Sequence, residues 1–213
     1  MKIELKTAQL LNSRLFHDLV GAASAINTGI EFMAEPSGAD DAMDLLKQSA
    51  DRMTRRLDFF RGAFGLGGGK QGELTLGDAE ILVAGWYADS KSELQWPSGD
   101  ALMAVGSVPA QAIKVLMVLA LMGEECLPRG GRVVVQVSRL AEGIGLAVSA
   151  EGTGARPPDG TLEALDPDQA VENLTARSIA AHFGALLAAH QGARIEAAQA
   201  ADRVDYASLI SVG

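Results

Sequence analysis

The sequence predicts a two-domain α+β protein, with an antiparallel helical hairpin over residues 1–66 followed by an α/β sandwich over residues 73–213. Three observations carry this. Apolar residues recur at helical spacing through the first 64 positions, a glycine-rich stretch then interrupts the pattern, and short β-rich runs alternate with helical ones from there on.

In the first helix Leu11, Leu15, Leu19, Ala22, Ile26, Ile30 and Met33 fall on one stripe. Glu35-Pro36-Ser37-Gly38 ends it, because proline disfavours helical geometry in the residue before it. Asp40 is placed to cap a second helix. There Met43, Leu46, Ala50, Met53, Leu57, Phe60 and Phe64 alternate steps of three and four, the seam of a coiled coil. Leu45, Phe59 and Ala63 widen that stripe beyond what one helix covers, so two hairpins are expected to pair as a homodimeric four-helix bundle. "GLGGGKQG", residues 65–72, reads as a flexible linker. A phosphate-binding loop would need glycine at Phe64 and serine or threonine at Gln71.

Beyond Gly72 the expected elements are short strands at "LQWP" and "ALMAVG", then a buried helix at "PAQAIKVLMVLALMGEECL". A β-hairpin follows from "RVVVQVSRL" and "GIGLAVSAE", then further helix within "PDQAVENLTARSIAAHFGALLAAHQG". "ARIEAAQA" and "DYASLISV" close the fold as two strands, giving one sheet with helices on one face. Trp86 and Trp96 are expected in the core or at the domain interface.

The net charge of −9 argues against general nucleic-acid binding, since a duplex repels such a surface. The longest apolar run, Val115 to Met122, falls far short of the roughly 20 residues that cross a bilayer. The opening "MKIELK" lacks the apolar core of a secretory signal, and the single cysteine, Cys126, suits a reducing compartment. A cytoplasmic protein is expected. His182 and His190 have no cysteine or paired carboxylate at ligand spacing, so no metal site and no bound cofactor are expected.

"SRLFHDLVGAAS", residues 13–24, is the stretch that points to chemistry. Each helical step turns a side chain by about 100°, so with Leu15 at zero the apolar stripe stays within about 60° and His17 falls near 200°. The histidine thus faces away from the buried side. Its neighbours there are Ser13, Gly21, Ser24 and Thr28, all small. A glycine inside an exposed helix costs roughly 1 kcal/mol relative to alanine. Gly21 therefore needs a reason, either close approach of another protein or relief of helix crowding. A neutral imidazole has a free ring lone pair that can attack phosphorus.

Together these pieces resemble the body of a sensor histidine kinase, with "HDL" in the first helix of a dimerising hairpin and an α+β domain like the kinase ATPase domain after it. "RLFHDLVGAASAINTGIEFM" and the "DFFRGAFG" ending of the second helix resemble in detail the ChpT-type histidine phosphotransferases of bacterial phosphorelays. Where the kinase family carries magnesium-binding asparagines ahead of its P-x-G-G turn, here "PRGG", this chain has Val118 and Met122. The adenine-reading aspartate position is Ala150, with Glu151 one residue off, and the glycine-rich lid is replaced by "ENLTARSIAAH". The resemblance therefore implies a phosphotransferase and not an ATP-dependent kinase. It implies His17 as phosphoacceptor and Asp18 as the residue that orients the ring or manages its proton, unless Asp18 is only a solvated helix charge. Ser13, Arg14, Gly21 and Ser24 are the candidate partner-binding residues, though Arg14 also fits an ordinary surface arginine. The implied partners are receiver domains of a hybrid histidine kinase and of response regulators, which would bring the Mg2+. Arg52, Arg55, Arg56 and Arg61 give the second helix a basic side, either a solvated face or a docking surface for an acidic receiver. The alternatives are a non-catalytic dimeric adaptor that binds response regulators, and an ATP-dependent histidine kinase.

Overall fold

A computed structural model describes residues 4–33, 39–66 and 74–211. The predicted stop at 35–38 and most of the glycine-rich stretch lie outside the described residues. Helices α1 (Leu5–Met33) and α2 (Ala39–Phe64) form the antiparallel hairpin. On the first stripe Ala22 is buried and Leu11, Leu15, Leu19 and Ile26 are half-buried, but Ile30 and Met33 are exposed. The contact line runs instead through Thr7, Ala22 and Gly29, small residues that let the helices approach closely. On α2, Phe60 is buried and Leu46, Met53 and Phe64 are half-buried, whereas Met43, Ala50 and Leu57 are exposed in the single chain.

Helix α3 (Leu76–Tyr87) follows; it buries Ala79, Val83, Trp86 and Tyr87, while Ile81 and Ala84 on its exposed side blur the apolar period. Its local signal is a capping box: the Thr75 hydroxyl accepts from the Asp78 amide at 3.1 Å, and the Thr75 amide donates back to the Asp78 carboxylate at 3.0 Å. Strand β1 (Ser92–Gln95) covers part of "LQWP". "ALMAVG" is not a strand. It forms helix α4 (Gly99–Val105), started by the Ser98 hydroxyl and stopped at Gly106, whose φ is +72°. Six residues are too short a run for periodicity to separate the two.

Helix α5 (Ala110–Glu125) is the centre of the domain, buried on all sides from Ala112 to Gly123. Strands β2 (Gly131–Leu140) and β3 (Gly143–Glu151) form the expected hairpin. A short helix α6 (Thr161–Ala164) comes next, and the stretch read as holding further helix contains a 3₁₀ turn at Val171–Asn173 and helix α7 (Ile179–Ala189). Reciprocal bonds from the Thr175 amide to the Ser178 hydroxyl (3.1 Å) and from the Ser178 amide to the Thr175 hydroxyl (3.2 Å) fix where α7 begins. Strands β4 (Ile195–Ala200) and β5 (Arg203–Ile210) complete a sheet of order β1-β2-β3-β5-β4, parallel between β1 and β2 and antiparallel elsewhere. One face, carrying Val133, Val135, Leu146, Val148, Val204 and Tyr206, is buried against the helices.

The "DFFRGAFG" ending seats the hairpin on this domain. Phe59 and Phe60 place their rings 4.7 and 5.7 Å from Trp86, and Phe64 reaches Phe183 at 5.3 Å. Trp86 is thereby an interface residue, and Trp96 packs at the core margin. Lys114, buried on α5, donates its ammonium to the Gly65 carbonyl just past α2.

Candidate functional site

His17 projects from the outer side of α1, with 85% of its side chain exposed. Ser13, Gly21 and Ser24 are exposed on the same side. A Cβ built on Gly21 would meet nothing within 4 Å, so this glycine relieves no crowding within the chain. Phe16 and Val20 are also exposed there, at 62% and 60%. These two apolar neighbours were visible in the sequence as residues off the buried stripe, and they extend the accessible face around the histidine.

Asp18 turns inward from the histidine. Its Oδ1 lies 3.4 Å from His17 Nδ1, at the edge of hydrogen-bond reach, and its Oδ2 accepts from Arg14 Nε at 2.8 Å. Arg14 is not a free surface cation: its side chain is only 13% exposed, and its other arm lies 2.5 Å from Glu125 at the end of α5. Burial works against the guanidinium charge, but Glu125 and Asp18 outweigh it and raise the Arg14 pKa. Burial pushes the Glu125 carboxyl up, and Arg14 draws it only partly back.

The same residues line a cleft of about 580 Å³ between α1 and the second domain. Its far wall is Arg156, Pro157, Pro158 and Arg177. Both arginines are exposed, and the ion pairs among the described residues involve neither. The cleft thus sets two unengaged cations opposite an exposed imidazole. Sequence reading could not place Arg156, Arg177 or Glu125, because only the tertiary fold brings them to His17.

The basic side of α2 is largely committed within the chain. Arg52 and Arg55 both donate to Asp89, at 3.3 and 2.8 Å, and Arg56 stacks its guanidinium 3.5 Å above the Trp86 ring. Arg61 pairs with Asp58 one turn back.

The positions that correspond to nucleotide-binding residues are closed. Val118 and Ala150 are wholly buried and Met122 is 1% exposed, all within the core. Glu151 follows Ala150 on a strand and so faces the opposite side of the sheet, where Arg132 and Arg203 hold it at 2.6 and 3.0 Å. Arg132 draws the Glu151 carboxyl below its ordinary pKa. Among the described residues no cluster of three or more His, Cys, Asp or Glu side chains is placed to hold a metal ion. His182 is buried, with Nδ1 3.3 Å from the Ala164 carbonyl. No helix among the described residues is long and apolar enough to cross a membrane.

An outward histidine on a helical hairpin is thus joined to an α+β domain in which Val118, Met122 and Ala150 are packed inside the core. The sequence profile of the histidine phosphotransferase C-terminal domain family matches residues 76–203, and the chain belongs to that family. It is 30% identical over 191 residues to the protein phosphotransferase ChpT of Brucella abortus (strain 2308), covering 90% of this chain and 89% of that one. Among solved structures it is similar to a bacterial phosphotransferase with a TM-score of 0.81 and 28% identity, covering 98% of both chains. The chain is a ChpT-type histidine phosphotransferase of two-component phosphorelay signalling.

Proposed function

We propose that His17 is the phosphoacceptor, and that it carries the phosphoryl group from an aspartate on one receiver domain to an aspartate on another. The observation that carries this reading is the exposure of His17 beside Gly21, whose surroundings are open, and across a cleft from Arg156 and Arg177. A histidine kept for packing would be enclosed, as His182 is.

In the forward step a ring lone pair of His17 attacks the phosphorus of the donor's acyl phosphate. The new N–P bond forms as the P–O bond to the aspartyl group breaks, and the carboxylate leaves with that electron pair. The ring keeps its other N–H and becomes cationic, a charge that the Asp18 carboxylate offsets. In the second step an acceptor carboxylate attacks the same phosphorus and the N–P electrons return to the ring, so no proton changes hands overall. Phosphoryl transfer depends mainly on in-line positioning and on neutralising the moving oxygens. The partner's Mg2+ supplies most of that neutralisation, and Arg156 and Arg177 add cations from this chain. Ser13, Gly21 and Ser24 form the near side of the docking face, and the small side chains admit the partner's backbone.

The donor is the receiver domain of a hybrid histidine kinase, the acceptors are response regulators, and the relay runs in the cytoplasm. The active form is a homodimer, in which the exposed Met43, Ala50 and Leu57 of α2 pack against the second hairpin. The test is a relay assay with two purified receivers, one labelled with phosphate. Label should reach the second receiver only when this protein is present. Release as free phosphate without transfer would contradict the reading.

A further inference from the structure

Arg14 is a mostly buried arginine in a helix that has an open side for it. Burying a guanidinium is costly unless charge partners and hydrogen bonds compensate. Here the compensation is divided: one arm of the fork binds Asp18 on the same helix and the other binds Glu125 on α5, at 2.8 and 2.5 Å. The division matters because an arginine facing a single carboxylate prefers to grip both of its oxygens. With Glu125 holding one arm, Arg14 takes only Oδ2 of Asp18, and Oδ1 stays turned towards Nδ1 of His17 at 3.4 Å.

We propose that Glu125 is a positioning residue for phosphotransfer. Acting through Arg14, it keeps Asp18 Oδ1 available to Nδ1–H of His17, so that the lone pair rests on Nε2, the outer ring nitrogen. This rests on the reading of His17 as phosphoacceptor. The second domain then contributes to the chemistry without binding a nucleotide: the end of its buried helix sets which nitrogen of the imidazole is the nucleophile. The charged groups around this chain are His17, Arg14 and Asp18 from α1, Arg56 from α2, Glu124 from α5, and Arg156 and Arg177 across the cleft. Arg56 feels Asp18, Glu124 and Arg14, and its guanidinium stacks 3.5 Å from the centre of the Trp86 ring.

The test is the Glu125→Gln variant of the full chain, which keeps the side-chain shape and removes the charge. Two readouts are taken: ring nitrogen-15 spectra of His17 in its neutral form, assigned by their loss in His17→Ala, and the rate of phosphoryl uptake from a phosphorylated receiver. The native chain should show the Nδ1–H tautomer. The variant should show a mixture with Nε2–H and take up phosphate about 10- to 100-fold more slowly, by analogy with the loss when the partner that orients a metal-binding histidine is removed. A purely structural Glu125 would lower the thermal midpoint and leave the tautomer alone. An unchanged tautomer, or a changed tautomer with an unchanged rate, overturns the proposal. If Glu125→Gln fails to fold, Arg14→Lys decides in its place, because a single ammonium cannot span both carboxylates and should give the same two changes. Should the native chain take up no phosphate at all, the reading of His17 falls, and the tautomer comparison still shows whether Glu125 orients the ring.

Discussion

Gly29 of α1 packs directly on Leu46 of α2: a Cβ built on Gly29 would lie 2.8 Å from Leu46 Cγ and 3.3 Å from the Ala42 carbonyl. Gly21, on the same helix, has nothing within 4 Å. The two glycines therefore serve different ends. Gly29→Ala gains about 1 kcal/mol of helix propensity but forces overpacking that costs about 1–3 kcal/mol, so a net loss of about 1 kcal/mol is expected. For a chain of this size that is a fall of roughly 2–4 °C in the thermal midpoint. Gly21→Leu should leave the midpoint unchanged or slightly raised, yet slow phosphoryl uptake, since about 1 Å of misplacement can cost a hundredfold. Calorimetry and a transfer time course on both variants check this.

Asp89 ties α2 to the second domain and is the carboxylate through which acid should loosen that tie. Burial works against its charge, but bonds from Arg55 and Arg52 outweigh it and lower its pKa from 3.8. A carboxyl with a depressed folded pKa contributes stability above its ordinary value, and that contribution is lost as pH falls through the folded value. Asp89→Asn should cost about 0.5–1 kcal/mol near neutrality, in the range of partly exposed pairs, and the difference from the native chain should shrink as pH falls below the ordinary value of 3.8. Thermal melts from pH 7 to pH 3 test the sign.

What the sequence made legible was whatever a single helix or strand decides by itself. The outward direction of His17 follows from the 100° step, and the β2–β3 hairpin follows from two apolar runs around a short turn. Helix α3 was not legible because Ile81 and Ala84 on its exposed side blur the period of its buried face, and α4 was too short to show one. The inner network was not legible for a different reason. Arg14 and Glu125 are neighbours only because the aromatic junction of Phe59, Phe60 and Trp86 seats the hairpin against α5. A charge at position 14 looks like any surface arginine until its burial is known.

Magnesium and ATP together should give no saturable heat of binding at millimolar concentration. Val118, Met122 and Ala150 are packed inside the core, and Glu151 is held by two arginines on the far side of the sheet. A clear binding isotherm would contradict this account of the second domain.

Leu57 is 44% exposed in the single chain, although it lies on the apolar seam of α2. Light scattering of the intact protein should give twice the chain mass. Leu57→Asp should bring it to the monomer mass, because an unpaired charge is costly in an apolar interface. A native monomer would remove the bundle from the account.

The most direct measurement is the location of the phosphoryl group after the protein is mixed with a receiver labelled on its aspartate. The account predicts one acid-labile label per active chain, recovered on the peptide that contains His17. It predicts no label in His17→Ala, whose thermal midpoint should match the native one because an outward imidazole contributes little packing. Label on His182 or His190, or undiminished uptake by His17→Ala, would contradict it.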